Sequence, residues 1–310
     1  MGLRIEIARR PPENLADDVL FAFGYGPPES LIHGGNRVLG TGLAAADGSR
    51  ALELWRVAEA VATGVDGHVH FAASAEFASG FVDLDEQRYS GIADAAQAAY
   101  RSMLEFQARS SHRHLLRIWN FIDSINDGEG DLERYRQFCV GRARGLGDMP
   151  SDKLPAATAV GRRHSSGRVQ VCWFAGRAPG RPVENPRQVR AYRYPREYGA
   201  SPPAFARAMR LESGELMGSG TSSIVGHESR HDGDLTSQVE ETLNNLAELH
   251  RAGGGGGAPT GVKVYVRERA GADGVAHQVR AGLPGADGPL LIEADICRRE
   301  LLVEIECLWI

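Results

Sequence analysis

A pair of carboxylates inside an apolar, alternating run constrains this chain more than any other feature. Across residues 301–310, Leu302, Glu304, Glu306 and Leu308 fall on one face of a strand by period-two alternation, and Val303, Ile305 and Cys307 fall on the other. A run this apolar belongs in a sheet that packs against a core, and it carries two glutamates with it. A glutamate that shares a face with leucines is either paired with a cation or kept neutral and available as an acid. The plainer alternative is an edge strand whose glutamates face water.

Proline content and loss of periodicity mark a break at 149–157 (MPSDKLPAA), almost halfway along the 310 residues. Each side then repeats the order strand, helix, strand. In the first, the apolar run at 67–77 precedes a helical pattern at 92–107 and a strand-like HLLRIWNFI at 114–122. In the second, ELMGSGTSSIVGH at 215–227 precedes a helix at 234–250. Leu235, Val239, Leu243, Leu246 and Leu249 give that helix one apolar face, and Asp234 stands where a cap is needed. At 261–268, Val262, Val264 and Val266 alternate with Lys263 and Tyr265, the pattern of a strand with one buried face. These orders predict an α+β fold of two related domains, 1–148 and 158–310, joined by a linker at 149–157.

Composition removes several functions. A formal charge of −5 and a pI near 6.1 argue against nucleic-acid binding, which needs a basic face. No stretch approaches the roughly twenty apolar residues of a membrane helix, and MGLRIEIARRPPENL lacks the apolar centre of a signal peptide. Cys139, Cys172, Cys297 and Cys307 have no C-x-x-C spacing, so free thiols and a cytoplasmic location are expected. No metal motif is visible. His227 and His231 flank Glu228 without the H-E-x-x-H order. The SGTSS run lacks a following G-K-S/T, so no nucleotide cofactor is expected either.

The segment LLVEIE at 301–306 is similar to the closing strand of the Rid (YjgF-like) superfamily, where the first Glu of a V-E-I-E run lies in the ligand cleft. RIWNFIDSIN at 117–126, RYRQFCVGRARGL at 134–146 and NPRQVRAYRYPREYG at 185–199 narrow the resemblance to the chorismatases. FARA at 205–208 and SGTSSIVGHESRHDGD at 219–234 continue it in the same order, so it spans most of the chain after about residue 110. The resemblance implies two fused Rid/YjgF-like (chorismate mutase-like) domains, relatives of trimers whose ligand clefts lie between subunits. It also implies that the C-terminal domain contributes most of the active site. A fused pair supplies its own cleft, so a monomer is expected, with chorismate as the small-molecule partner and neither membrane nor nucleic acid involved.

Chorismate carries a ring carboxylate and an enolpyruvyl carboxylate. A site for it needs two separated cations, ideally arginines, whose planar forks match carboxylates. It also needs an acid of raised pKa to protonate the enol ether carbon. The resemblance implies Glu304 as that acid, with Glu306 as the alternative on the same strand face. It implies substrate contacts from Tyr135 with Arg142 and from Tyr192 with Arg207, Arg193 and Arg196 competing for the last role. Gly220 and Thr221 would offer an amide and a hydroxyl, and Ser222 stands where Ala or Gly is expected. Cys297 points to the branch that forms 3-hydroxybenzoate and pyruvate, its thiol assisting the opening of an epoxide. The alternatives are a hydrolase giving a dihydroxycyclohexadiene carboxylate or mixed hydroxybenzoates, a Rid-type imine deaminase, and a non-catalytic metabolite-binding protein.

Overall fold

The computed structural model describes residues 2–10, 12, 14–26, 35–163, 166–286 and 288–310. The chain begins with β1 (Arg4–Ala8), β2 (Val19–Tyr25), β3 (Val38–Gly40), β4 (Ala44–Ala45) and β5 (Ala51–Arg56). Then come β6 (Ala62–Asp66), β7 (Val69–Ala73), β8 (Phe77–Asp85), helix α1 (Ile92–Arg109), β9 (His114–Asp123) and helix α2 (Arg134–Leu146). They are followed by β10 (Ala156–Arg162), β11 (Arg168–Gly176), β12 (Arg181–Val183), β13 (Ala208–Arg210) and β14 (Leu216–Gly218). Next are β15 (Thr221–Ser222), β16 (Ile224–Val225), β17 (Glu228–Ser229) and helix α3 (Leu235–Ala252). The order ends with β18 (Pro259–Val266), helix α4 (Ala272–Gly282), β19 (Leu290–Glu293), β20 (Asp295–Ile296) and β21 (Val303–Trp309).

Two large sheets dominate, each backed by two helices, as the repeated element order predicts for an α+β chain. The first has the order β20-β10-β9-β11-β8-β7-β6, and α1 and α2 cover it through Ala95, Ala99, Met103 and Phe138 against Ile118, Ile122 and Trp173. The second has the order β12-β13-β14-β21-β18-β19-β4 with β15 added on β21, and Val239, Leu246 and Leu249 of α3 lie on Val264, Ile305 and Trp309. Between them sits an aromatic core that includes Phe21, Phe23, Trp55, Trp119 and Phe174. Three of these residues come from a four-stranded sheet, β1-β5-β2-β3, which the sequence reading did not anticipate.

Two expectations change on contact with this topology, and one alternative falls. β10 and β11 pair with β9 and β8, so the first sheet continues to Gly176 and the linker at 149–157 runs directly into one of its strands. Strand pairing, not proline content, decides where one sheet gives way to the next. β21 is no edge strand: β14 and β15 flank it on one side and β18 on the other. Lys263 and Tyr265 of β18 were expected on a solvated face, yet both are fully buried, because that face turns inward onto the aromatic core.

Candidate active site

A cavity of about 450 Å³ opens between α2, the segment leading to β15, and the turn before β21. Helical spacing accounts for the first wall. Tyr135, Cys139 and Arg142 lie at i, i+4 and i+7 on α2, so one face carries all three toward the sheet. The helix comes close enough because Gly141 has no side chain: a Cβ there would sit 2.0 Å from the Ala93 carbonyl oxygen of α1. Arg142 is 2% exposed and gives Nη2 to the Ala204 carbonyl, while its Nε has no partner. Burial holds the Tyr135 phenol well above its usual range, with Cys139 and Cys297 adding to the effect, so the hydroxyl stays a donor.

The second wall carries the second cation. Arg207 gives Nη2 to the Val189 carbonyl at 3.0 Å and to the Tyr194 hydroxyl at 2.7 Å, and its Nε is likewise buried without a partner. Two buried arginines thus line one cavity, each with an Nε–H that has no partner.

Strand register sets the third wall. Ser222 lies opposite Glu304 in the β15–β21 pair, and its Oγ donates to Glu304 Oε2 at 3.2 Å. Gly220 leaves room for the carboxyl, since a Cβ there would come within 2.0 Å of Glu304 Oε1 and push the side chain aside. Burial, reinforced by neighbouring Glu306, pushes the Glu304 carboxyl up to about 8, against the smaller pull of Ser222, Arg117 and Arg207. Cys297 lines the same cavity, and burial together with Glu304 pushes its thiol up, which keeps it neutral.

Of the residues singled out in the sequence, Tyr135, Arg142, Arg207, Gly220, Ser222, Cys297 and Glu304 meet in this cavity. Thr221, Tyr192, Arg193, Arg196 and Glu306 do not line it. Thr221 alternates away from Gly220 and Ser222, and its hydroxyl donates to the Ser219 carbonyl. Tyr192 falls within a single 3-10 turn, packs toward the helical layer of the first sheet and accepts a hydrogen bond from Arg190 at 3.2 Å. Neither arginine that competed with Arg207 takes its position, because Arg193 is exposed and Arg196 pairs with Asp131 on the surface. Glu306 faces the inter-sheet core and does not line the cavity.

The sequence reading missed Tyr194, Tyr198 and Arg298. The Arg298 guanidinium lies 4.0 Å from the Tyr198 ring centre and 5.2 Å from that of Tyr194, and it donates to the His227 carbonyl. Its position directly after Cys297 and the aromatic density of the 192–198 segment were the available signals. His227 and His231 turn to different partners, Tyr198 and Glu241, and no metal-holding cluster occurs among the described residues. Among those residues, too, no helix is long and apolar enough to cross a membrane.

Comparison with known proteins gives this geometry a context. The family described as Chorismatase FkbO/Hyg5-like, N-terminal, matches residues 53–175. A Streptomyces hygroscopicus protein named chorismatase is 35% identical over 299 residues, which cover 91% of this chain and 83% of that protein. A 3-hydroxybenzoate synthase of the same species is 39% identical over 235 residues, covering 69% of this chain and 68% of the relative. A crystal structure of a chorismatase superposes with a TM-score of 0.88 at 31% identity, covering 100% of this chain and 98% of the other.

Proposed function

The chain belongs to the chorismatase family, and from that premise we propose that it cleaves chorismate to 3-hydroxybenzoate and pyruvate. One observation carries the reading: a carboxyl held up at about 8 lines the same cavity as two buried arginines with unpartnered N–H groups. Arg142 and Arg207 anchor the two carboxylates of the substrate and hold the enol ether against Glu304. Glu304, neutral at pH 7, gives its proton to the methylene carbon of the enolpyruvyl group, which leaves an oxocarbenium-like centre. The ring hydroxyl oxygen attacks the neighbouring ring carbon and gives up its proton, the C–O bond to the side chain breaks, and pyruvate departs. The resulting epoxide opens as its oxygen takes up a proton, a ring proton is lost, and the ring becomes aromatic. Cys297, as a neutral thiol beside the ring, assists the opening.

A hydrolytic outcome has one observation in its favour. The Ser222 hydroxyl against Glu304 offers a second polar group that could hold a water where the epoxide path needs none. Purified protein incubated with chorismate separates the readings, with pyruvate followed by a coupled assay and the ring product by chromatography. We expect pyruvate and 3-hydroxybenzoate in equal amounts. A dihydrodiol in place of the hydroxybenzoate would assign the hydrolytic path, and no pyruvate at all would sink both.

A further inference from the structure

Behind the cavity lies a second group of ionisable side chains that the reaction does not touch. Lys263 pairs with Glu53 at 2.7 Å and also with Glu306, and Arg117 reaches Glu306 at 2.5 Å. Glu53 takes further donors from Trp55 at 2.8 Å and Tyr25 at 3.2 Å, and Glu306 from Trp119 at 3.1 Å and Tyr265 at 3.2 Å. All four charged side chains are at most 4% exposed. Two cations thus face two well-donated carboxylates, and the sum is zero. Glu304 follows on the same strand face as Glu306, one pleat along. Were it also ionised, three carboxylates would meet the group's two cations, and the extra charge would fall to Arg207 at the cavity, which the carboxylates of the substrate claim.

A chain of two hydrogen bonds and one packing contact connects the two carboxylates. The Thr158 hydroxyl donates to Glu306 and accepts the Gly220 N–H at 2.9 Å, and the Gly220 backbone in turn lies against Glu304. Other groups face Glu304 from several elements: Tyr135 from α2, Arg117 from β9, Tyr265 from β18, and Arg207, Ser222 and Cys297 around the cavity.

We propose that Glu53, Lys263, Arg117 and Glu306 form a charge-balancing device that keeps Glu304 protonated, with Thr158 and Gly220 fixing its position. The four are positioning residues, and the proposal rests on the reading of Glu304 as the acid. Burial raises Glu53 on balance, against the pull of Lys263, and the ion pair at 2.7 Å is what favours its charged form; burial opposes ionisation of Glu306 too, yet Lys263 and Arg117 together hold it down at about 2.

The pH profile of kcat/KM provides the test. Activity that needs protonated Glu304 falls on the basic side, through its pKa. Glu53→Gln, remote from the substrate, leaves two cations against Glu306 alone. Glu304 then becomes the missing anion, and the basic limb moves to lower pH by about one unit. The double variant Glu53→Gln with Lys263→Met restores a zero sum and returns the limb to the wild-type position. A limb unmoved in the single variant, or equally displaced in the double, overturns the device. An infrared measurement covers the case where these variants do not fold. Wild-type protein at pH 7 should show a protonated-carboxyl band that Glu304→Gln lacks, and absence of that band overturns the proposal without reference to activity. Full turnover by Glu304→Gln, by contrast, removes the reading of Glu304 as the acid and leaves the infrared result to judge charge balance alone.

Discussion

At the scale of single residues, what matters is which polar atoms are buried and idle. Arg142 and Arg207 each keep one N–H without a partner, and Glu304 keeps a proton. Glu304→Gln preserves shape and removes the transferable proton, so kcat should fall by about 100-fold or more with KM nearly unchanged. Arg207→Met should instead raise KM, with kcat/KM down about 10- to 100-fold, because a charge-assisted contact is lost. Steady-state kinetics with chorismate distinguish the two patterns. The strand that carries Glu304 was legible in the sequence, but alternation alone fitted glutamates facing water equally well, and only the family resemblance singled out Glu304. Tyr194 was not: four aromatic or arginine side chains crowd 192–196, and a 3-10 turn orients them by geometry that no period reveals. Thr221 was misjudged for a simpler reason, that of two adjacent strand residues only one can face a cavity.

Elements show how a site residue depends on packing far from it. α2 delivers Tyr135 and Arg142 only because Gly141 lets it press against α1. Gly141→Ala gains about 1 kcal/mol of helix propensity, but the new methyl meets backbone that cannot move cheaply. A net loss of about 2 kcal/mol is expected in denaturant titrations, accompanied by weaker substrate binding as the helix is pushed outward. α1 and α3 could be read from periodicity within two residues of their observed ends, and the Asp234 cap receives the Ser237 N–H as expected. Strands were harder. Lys263 looked solvated because alternation shows that two faces differ, not that one of them meets water. β1, β2, β3 and β5 gave no signal of their role, since what they supply, Glu53 and an aromatic wall, acquires meaning only against β18 and β21.

For the whole molecule, the proton on Glu304 is also a stability term. Its folded pKa, about 8, lies above the unfolded value near 4.5, so the folded state holds more protons between those limits. Stability should therefore decline as pH rises from about 5 to about 8, by on the order of 4 kcal/mol if no other group compensates. Glu306 has the opposite sign: held at about 2, it stabilises above its unfolded pKa, and that contribution is lost as pH falls from about 4.5 toward 2. Thermal melts across pH 5 to 8 should show the decline in wild-type protein and a flatter curve for Glu304→Gln. The cavity described above has one more consequence. Its facing walls come from α2 and from the β15–β21 pair, all within one polypeptide. We expect the rate per molecule to stay unchanged on dilution, whereas a site shared between subunits would lose activity, and activity measured across a dilution series tells the two apart.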